Sequence, residues 1–172
     1  MLLSYSDMLN TPVAAADLGE RIGGVSDIVV EPQEHRLIAF VVREGNFFTA
    51  SKFLSPEDII EYDPQALIIA SADAIVPFTE IVRARTLMKQ RAHVLKRKVV
   101  TEAGERIGTV INYAIDTDTS CIVRYYVRSL FGQDRIIPTT SIVSVTKDSF
   151  VVAEDKKPAQ QRSHGVPKIS EG

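Results

Sequence analysis

At 172 residues, with 45% apolar side chains and a net charge of −2, the chain has the length of one domain or two small ones. That charge balance excludes a strongly basic nucleic-acid binder as the default reading. The single cysteine, Cys121, excludes an internal disulfide, and no apolar run approaches the ~20 residues that cross a bilayer.

The chain opens without a basic segment followed by an apolar one, so Met1 to Asn10 shows no leader. With one thiol, set in an apolar stretch, the expected compartment is the cytoplasm. A short strand is predicted at Val13 to Ala16, turning at Asp17-Leu18-Gly19-Glu20, where Gly19 can take the left-handed backbone of a tight turn. A long strand follows over Gly23 to Glu31, then a polar turn from Pro32 to His35 and a strand over Arg36 to Arg43. Beyond Glu44 to Asn46 a fourth strand is predicted at Phe47 to Ala50. Ser55-Pro56-Glu57 reads as one helical turn, with Ser as cap and Pro in the first position. Two last strands, Ile59 to Tyr62 and Ala66 to Ala70, join through Asp63-Pro64.

From Ser71 to Arg97 the pattern changes. Ile81, Ala84, Met88, Ala92 and Leu95 recur at helical spacing, which predicts a partly helical connector. Then the first half returns. Gly19-Glu20-Arg21-Ile22-Gly23 reappears letter for letter as Gly104-Glu105-Arg106-Ile107-Gly108. In the same register Val25 meets Val110, Glu31 meets Asp116, Phe40 meets Tyr125, and Val42-Arg43 meets Val127-Arg128. After a two-residue deletion, Ile59 meets Ile142, Leu67 meets Phe150 and Ala70 meets Ala153. A repeat of this length fixes the architecture. Residues 1–72 and 93–155 form two all-β units, 73–92 a connector, and 156–172 a polar tail expected to be disordered. Six short strands per unit suit a small closed barrel, since closure removes sheet edges.

The repeated pattern, a Val, four or five residues and then G-E-x-I-G-x-V-x-D, with a hairpin, an apolar strand and a proline-marked turn after it, resembles the PRC-barrel. That domain occurs in the photosynthetic reaction centre H subunit and in the bacterial ribosome maturation factor. Copy one supplies Val13, Gly19, Glu20, Ile22, Gly23, Val25, Asp27 and Pro56. Copy two supplies Val99, Gly104, Glu105, Ile107, Gly108, Val110 and Pro138, with Asn112 in place of Asp. The resemblance implies two tandem barrels and a non-enzymatic adaptor that docks on a protein partner. It supplies no catalytic residues, and neither the membrane anchor of the first relative nor the N-terminal barrel of the second is expected here.

Where the copies agree, the fold is the expected reason; where they differ, function is. Ile38, Phe40 and Val42 match Val123, Tyr125 and Val127, which predicts a core face. The opposite face is Leu37, Ala39 and Val41 in copy one but Ile122, Arg124 and Tyr126 in copy two. The apolar version is expected to lie under the other barrel or the connector, or else under a partner or a second copy of the chain. Phe47, Phe48 and Phe53 have no aromatic counterpart, and Phe47 and Phe48 cannot both face inward on a regular strand, so one is expected at a surface, against the connector or else in a partner's pocket. Arg83, Arg85, Lys89, Arg91, Lys96, Arg97 and Lys98 give the connector seven positive charges, with no acid between Glu80 and Glu102. They would pair with barrel acids such as Glu57, Asp58, Glu61 and Asp63, stay solvated, or meet an anionic membrane surface or RNA. Asp116-Thr117-Asp118-Thr119 lacks the remainder of a calcium loop and reads as a turn. His35, His93 and His164 have no second ligand at zinc spacing. No phosphate loop, dinucleotide glycine pattern or serine elbow is present. No metal, cofactor or small-molecule substrate is expected.

Overall fold

Each copy of the Gly-Glu-Arg-Ile-Gly sequence uses its two glycines differently. Gly19 and Gly104 lie at φ 64° and 84°, the left-handed region that suits a residue without Cβ, and reverse the chain. Gly23 and Gly108 sit beneath the neighbouring strand: an added Cβ would lie 2.7 Å from the Arg43 carbonyl oxygen in one case and 2.1 Å from that of Arg128 in the other.

A computed structural model describes residues 1–45 and 49–154. In chain order these form β1 (Leu2–Ser4), a single helical turn α1 (Tyr5–Met8), β2 (Pro12–Ala15), β3 (Glu20–Glu31), β4 (Arg36–Arg43), β5 (Lys52–Leu54), β6 (Ile59–Asp63), β7 (Ala66–Ile69), β8 (Ile75–Val76) and α2 (Val82–Lys89). The second half continues as β9 (Lys98–Thr101), β10 (Arg106–Asp116), β11 (Cys121–Ser129), β12 (Arg135–Pro138), β13 (Ile142–Val145) and β14 (Ser149–Val152).

The pairing repeats with the sequence. In copy one β3 pairs antiparallel with β2 and β4, β7 runs parallel to β2 and antiparallel to β6, and β5 pairs with β4. In copy two β10, β9, β11, β14, β13 and β12 make the same set. A turn of 3₁₀ helix over Pro56–Asp58 joins β5 to β6, with the Ser55 hydroxyl accepting from the Glu57 N–H; Thr139–Ser141 takes its place in copy two. Among the described residues no ladder joins β5 to β6 or β12 to β13. The copies are therefore six-stranded open sheets rather than fully paired barrels. The predicted fourth strand at Phe47 to Ala50 is also corrected, since the strand beside β4 is Lys52–Leu54 and residues 49 and 50 lie outside any strand. Phe47, Phe48 and the tail lie outside the described residues.

Bulges recur at matching places, two of them in the β3–β4 and β10–β11 ladders. Ser26 and Ile111 are the extra residues between Val25/Asp27 and Val110/Asn112. There Asp27 Oδ1 accepts from the Ile28 N–H at 2.8 Å, and Asn112 Oδ1 from the Tyr113 N–H at 2.9 Å. The Asp or Asn of the repeated pattern thus meets a local backbone donor. Ile38 and Val123 are the second pair of extra residues. A one-residue insertion swaps the faces beyond it. The expected core trio is corrected accordingly: Leu37 joins Phe40 and Val42 inside, as Ile122 joins Tyr125 and Val127, while Ile38 leans on the outer cluster.

The halves meet through reciprocal contacts at the tips of their long hairpins. The Leu37 N–H donates to the Ser120 carbonyl at 2.8 Å, and the Ile122 N–H to the His35 carbonyl at 2.7 Å. These pairs exchange equivalent residues, as a local two-fold relation requires. β4 and β11 thereby join both copies into one 14-stranded sheet. β1 crosses over to pair with β10, and a single apolar cluster runs from Val13, Phe40 and Leu67 to Tyr113, Tyr125 and Phe150. Units this small have thin cores alone, and sharing one offsets that weakness.

Candidate functional site

The outer face of copy one is covered by the next segment of the chain. β8 extends the sheet beyond β5, pairing Val76 with Phe53 and Ile75 with Leu54. Phe78 then stacks on Phe53 with ring centroids 4.1 Å apart. α2 lays Ala84 and Leu87 into a second apolar cluster with Val29, Ala39, Val41 and Phe53. Of the covers the sequence allows for this face, the connector is the one present, and the alternative reading of Leu37, Ala39, Val41 and Phe53 as docking residues is corrected. All four are buried, Leu37 in the shared core and the others beneath the connector. The helix is shorter than its apolar spacing predicts. It ends at Lys89, with Arg91 at φ 52°, so Ala92 and Leu95 lie beyond it and Met88 is exposed.

The connector cations separate into three kinds. Arg83 meets Glu34 at 2.7 Å and Glu31 at 3.6 Å, rather than the acids between Glu57 and Asp63. Arg97 is no surface charge: its Nε donates to the His93 carbonyl, its guanidinium donates to the Thr146 carbonyl and lies over the Phe150 ring at 5.1 Å. Its removal from the docking set is a second correction, because the side chain is spent inside copy two. Arg85, Lys89, Arg91, Lys96 and Lys98 are exposed and make no ion pair among the described residues.

Among the described residues nothing covers the equivalent outer face of copy two. Tyr126 pairs with Ile136 where Val41 pairs with Phe53. Phe53 is 0% exposed, whereas Ile136 is 61% exposed. β12 pairs with β11 alone, so its far edge has no strand beside it among the described residues. Arg124 replaces Ala39, extends its guanidinium over the Tyr126 ring at 5.7 Å, and has no hydrogen-bond partner for its Nε among the described residues. Next to this face the β11–β12 loop presents Leu130, half exposed, and Phe131, 93% exposed. They border a cleft of about 1030 Å³ that includes Ile107, Arg135 and Ile136. Arg128 makes only a 4.0 Å contact with Asp134.

A smaller cavity of about 400 Å³ lies under the connector, between Val29, Leu87, Val94, Tyr113 and Asp27. Two of its polar groups, Tyr5 and Asp27, are committed to structure. The Tyr5 hydroxyl donates to Asp27 Oδ1 at 3.3 Å, and partial burial together with the Asp27 charge pushes its pKa up to about 12. Ser6 exchanges two hydrogen bonds with Asn112, so the turn α1 ties the matched Asp and Asn of both copies together. His35 reaches from the copy-one hairpin into copy two, with Nδ1 2.7 Å from the Tyr125 hydroxyl. It packs beside the Tyr125 and Phe150 rings, and burial lowers its pKa. The acidic tip at Asp116 is a turn whose carboxylate accepts from the Asp118 N–H and the Thr119 hydroxyl. Among the described residues no cluster of His, Cys, Asp and Glu is arranged to hold a metal ion.

A family model for the PRC-barrel domain matches residues 1–84 and, a second time, residues 89–157. The chain belongs to the PRC-barrel family. A search of curated proteins finds no match. In this tandem PRC-barrel protein, Leu130, Phe131 and Ile136 group exposed apolar surface beside the free edge of β12, and the sequence singles out none of them. One signal is within reach of sequence reasoning. The segment after copy one holds Ile75, Val76, Phe78, Ile81, Ala84 and Leu87, and the polar segment after copy two has no such series. Among the described residues no helix is long and apolar enough to cross a membrane.

Proposed function

We propose that this PRC-barrel protein is a non-catalytic docking module of the cytoplasm that binds another protein through the open outer face and loop of its second copy. Membership of a family whose domains often mediate protein interactions supports the reading. The observation that carries it is the contrast between equivalent positions: Phe53 is sealed under Phe78 and α2, while Ile136 stands open next to Leu130 and Phe131. Exposed apolar side chains grouped beside an unpaired strand edge are a protein-binding feature.

A photo-reactive amino acid at position 136 or 131 should crosslink to one protein species, and the same group at the exposed Ile60 of copy one should not. Ile136→Asp should abolish the crosslink made from position 131 while leaving the melting temperature unchanged. Equal crosslinking from position 60, or a crosslink that survives Ile136→Asp, contradicts the reading.

A second reading rests on Arg85, Lys89, Arg91, Lys96 and Lys98, which project from the connector without acidic partners among the described residues. They would favour an anionic lipid surface or RNA. Co-sedimentation with anionic vesicles and RNA gel shifts across a salt series test it, since phosphate-driven binding collapses as salt rises.

A further inference from the structure

The duplication supplies a template for what the open face of copy two accepts. In copy one the sheet edge at β5 is extended by β8, and the face beyond is covered by Phe78 and by Ala84 and Leu87 of α2. That cover is one continuous piece of chain, a two-residue strand running into a short amphipathic helix. Copy two presents the matching edge, β12, and the matching face, Tyr126 and Ile136, with no strand or helix on them among the described residues.

The replacements on this face, the arginines around it and the charge of the chain's own α2 set the chemistry of the occupant. Ala39 and Val41 become Arg124 and Tyr126, so a helix seated there meets a guanidinium instead of a methyl group. Arg124 forms no ion pair among the described residues, and Arg128 and Arg135 stand exposed nearby, with Asp134 close to Arg128. The chain's own α2 has Arg83, Arg85 and Lys89, whose like charge opposes that rim.

We propose that copy two binds in trans what copy one holds in cis: a strand running into a short amphipathic helix, contributed by another protein and acidic on its flanks. Its strand pairs with the free edge of β12, its apolar residues cover Ile136 and Tyr126, and its carboxylates meet Arg124 and Arg128. This inference rests on the docking reading above and adds the partner's shape and charge.

Two synthetic peptides test it against the full chain. One is residues 73–90 of this protein; the other is the same sequence with Arg83, Arg85 and Lys89 changed to Glu. Binding is read by fluorescence anisotropy and placed by NMR shifts. The acidic peptide should bind about tenfold more tightly than the basic one and should shift Tyr126 and Ile136. Ile136→Asp should abolish binding, and Ile60→Asp should not. Lack of binding by the acidic peptide, equal affinity for both peptides, or binding unaffected by Ile136→Asp overturns the inference. A dimer that dissociates in Ile136→Asp would assign the face to a second copy of the chain. Binding that appears only after Val166 and Ile169 are replaced by Asp would assign it to the chain's own terminus. Either result overturns the inference too. If crosslinking from position 131 succeeds while neither peptide binds, docking stands and the strand–helix partner falls. If both experiments fail, both fall.

Discussion

At the scale of single residues, side chains that look alike in the sequence do different work. Both Gly104 and Gly108 belong to the repeated pattern. Gly104 has open space where a Cβ would go but lies at φ 84°, whereas Gly108 lies under the Arg128 carbonyl. Gly104→Ala should therefore cost about 1 kcal/mol of backbone strain, and Gly108→Ala about 2–3 kcal/mol of overpacking. Urea denaturation of the two variants checks the order. His35 gives the clearest pH dependence. Burial holds its pKa below the ordinary 6.5, so the folded protein resists protonation there more than the unfolded chain does. The unfolded state then binds more protons in the interval between the two values, and stability rises with pH across it. Stability should be full above pH 6.5 and fall as the pH drops through that value. His35→Asn keeps a residue suited to φ 50° and removes the titration. Melting temperatures from about pH 8 to about pH 5 should fall more steeply for the native chain than for this variant. The sequence marks His35 only as a turn residue without a metal partner. Its insertion beside Tyr125 and Phe150 depends on how two distant hairpins meet, which local patterns do not encode.

At the scale of elements, strand type is legible because apolar alternation and turn glycines are local. β4 begins and ends at the residues the alternation predicts, Arg36 and Arg43. The bulges are not legible. One extra residue at Ile38 turns Leu37 into the core, and nothing in the apolar run Leu37 to Val42 marks where the insertion falls. The spacing overstates the connector helix for a related reason. Ile81, Ala84, Met88, Ala92 and Leu95 keep helical spacing past the point where the backbone at Arg91 has left the helix. The helix has no side-chain N-cap, so its stability comes from Ala84 and Leu87 on the sheet. Leu87→Ala should cost about 2–3 kcal/mol and Met88→Ala less than about 0.5 kcal/mol. Thermal denaturation should separate them, and loosening of α2 in Leu87→Ala should show as faster amide exchange at Phe53 and Val76.

At the scale of the whole molecule, a duplicated module is made asymmetric by the different segments that come after its two copies. The repeat correctly implies equivalent pairing in both halves, down to matching bulges. It also directs attention to positions where the copies differ. The sequence alone leaves the apolar member of the pair, copy one, to be covered by the connector or the other barrel, or else by a partner. The structure puts the connector there: the apolar version is apolar because β8 and α2 lie on it, and among the described residues the polar, aromatic version in copy two is the uncovered one. One core and one sheet run through both halves, and the cover over their outer faces differs among the described residues.

Cysteine labelling at the two equivalent positions tests that claim most directly. In a Cys121→Ser background, Phe53→Cys and Ile136→Cys are exposed to a maleimide under native conditions. The account predicts fast modification at position 136 and none at position 53 until the protein unfolds. Equal rates at the two positions, or protection at 136 in the isolated chain, would contradict it.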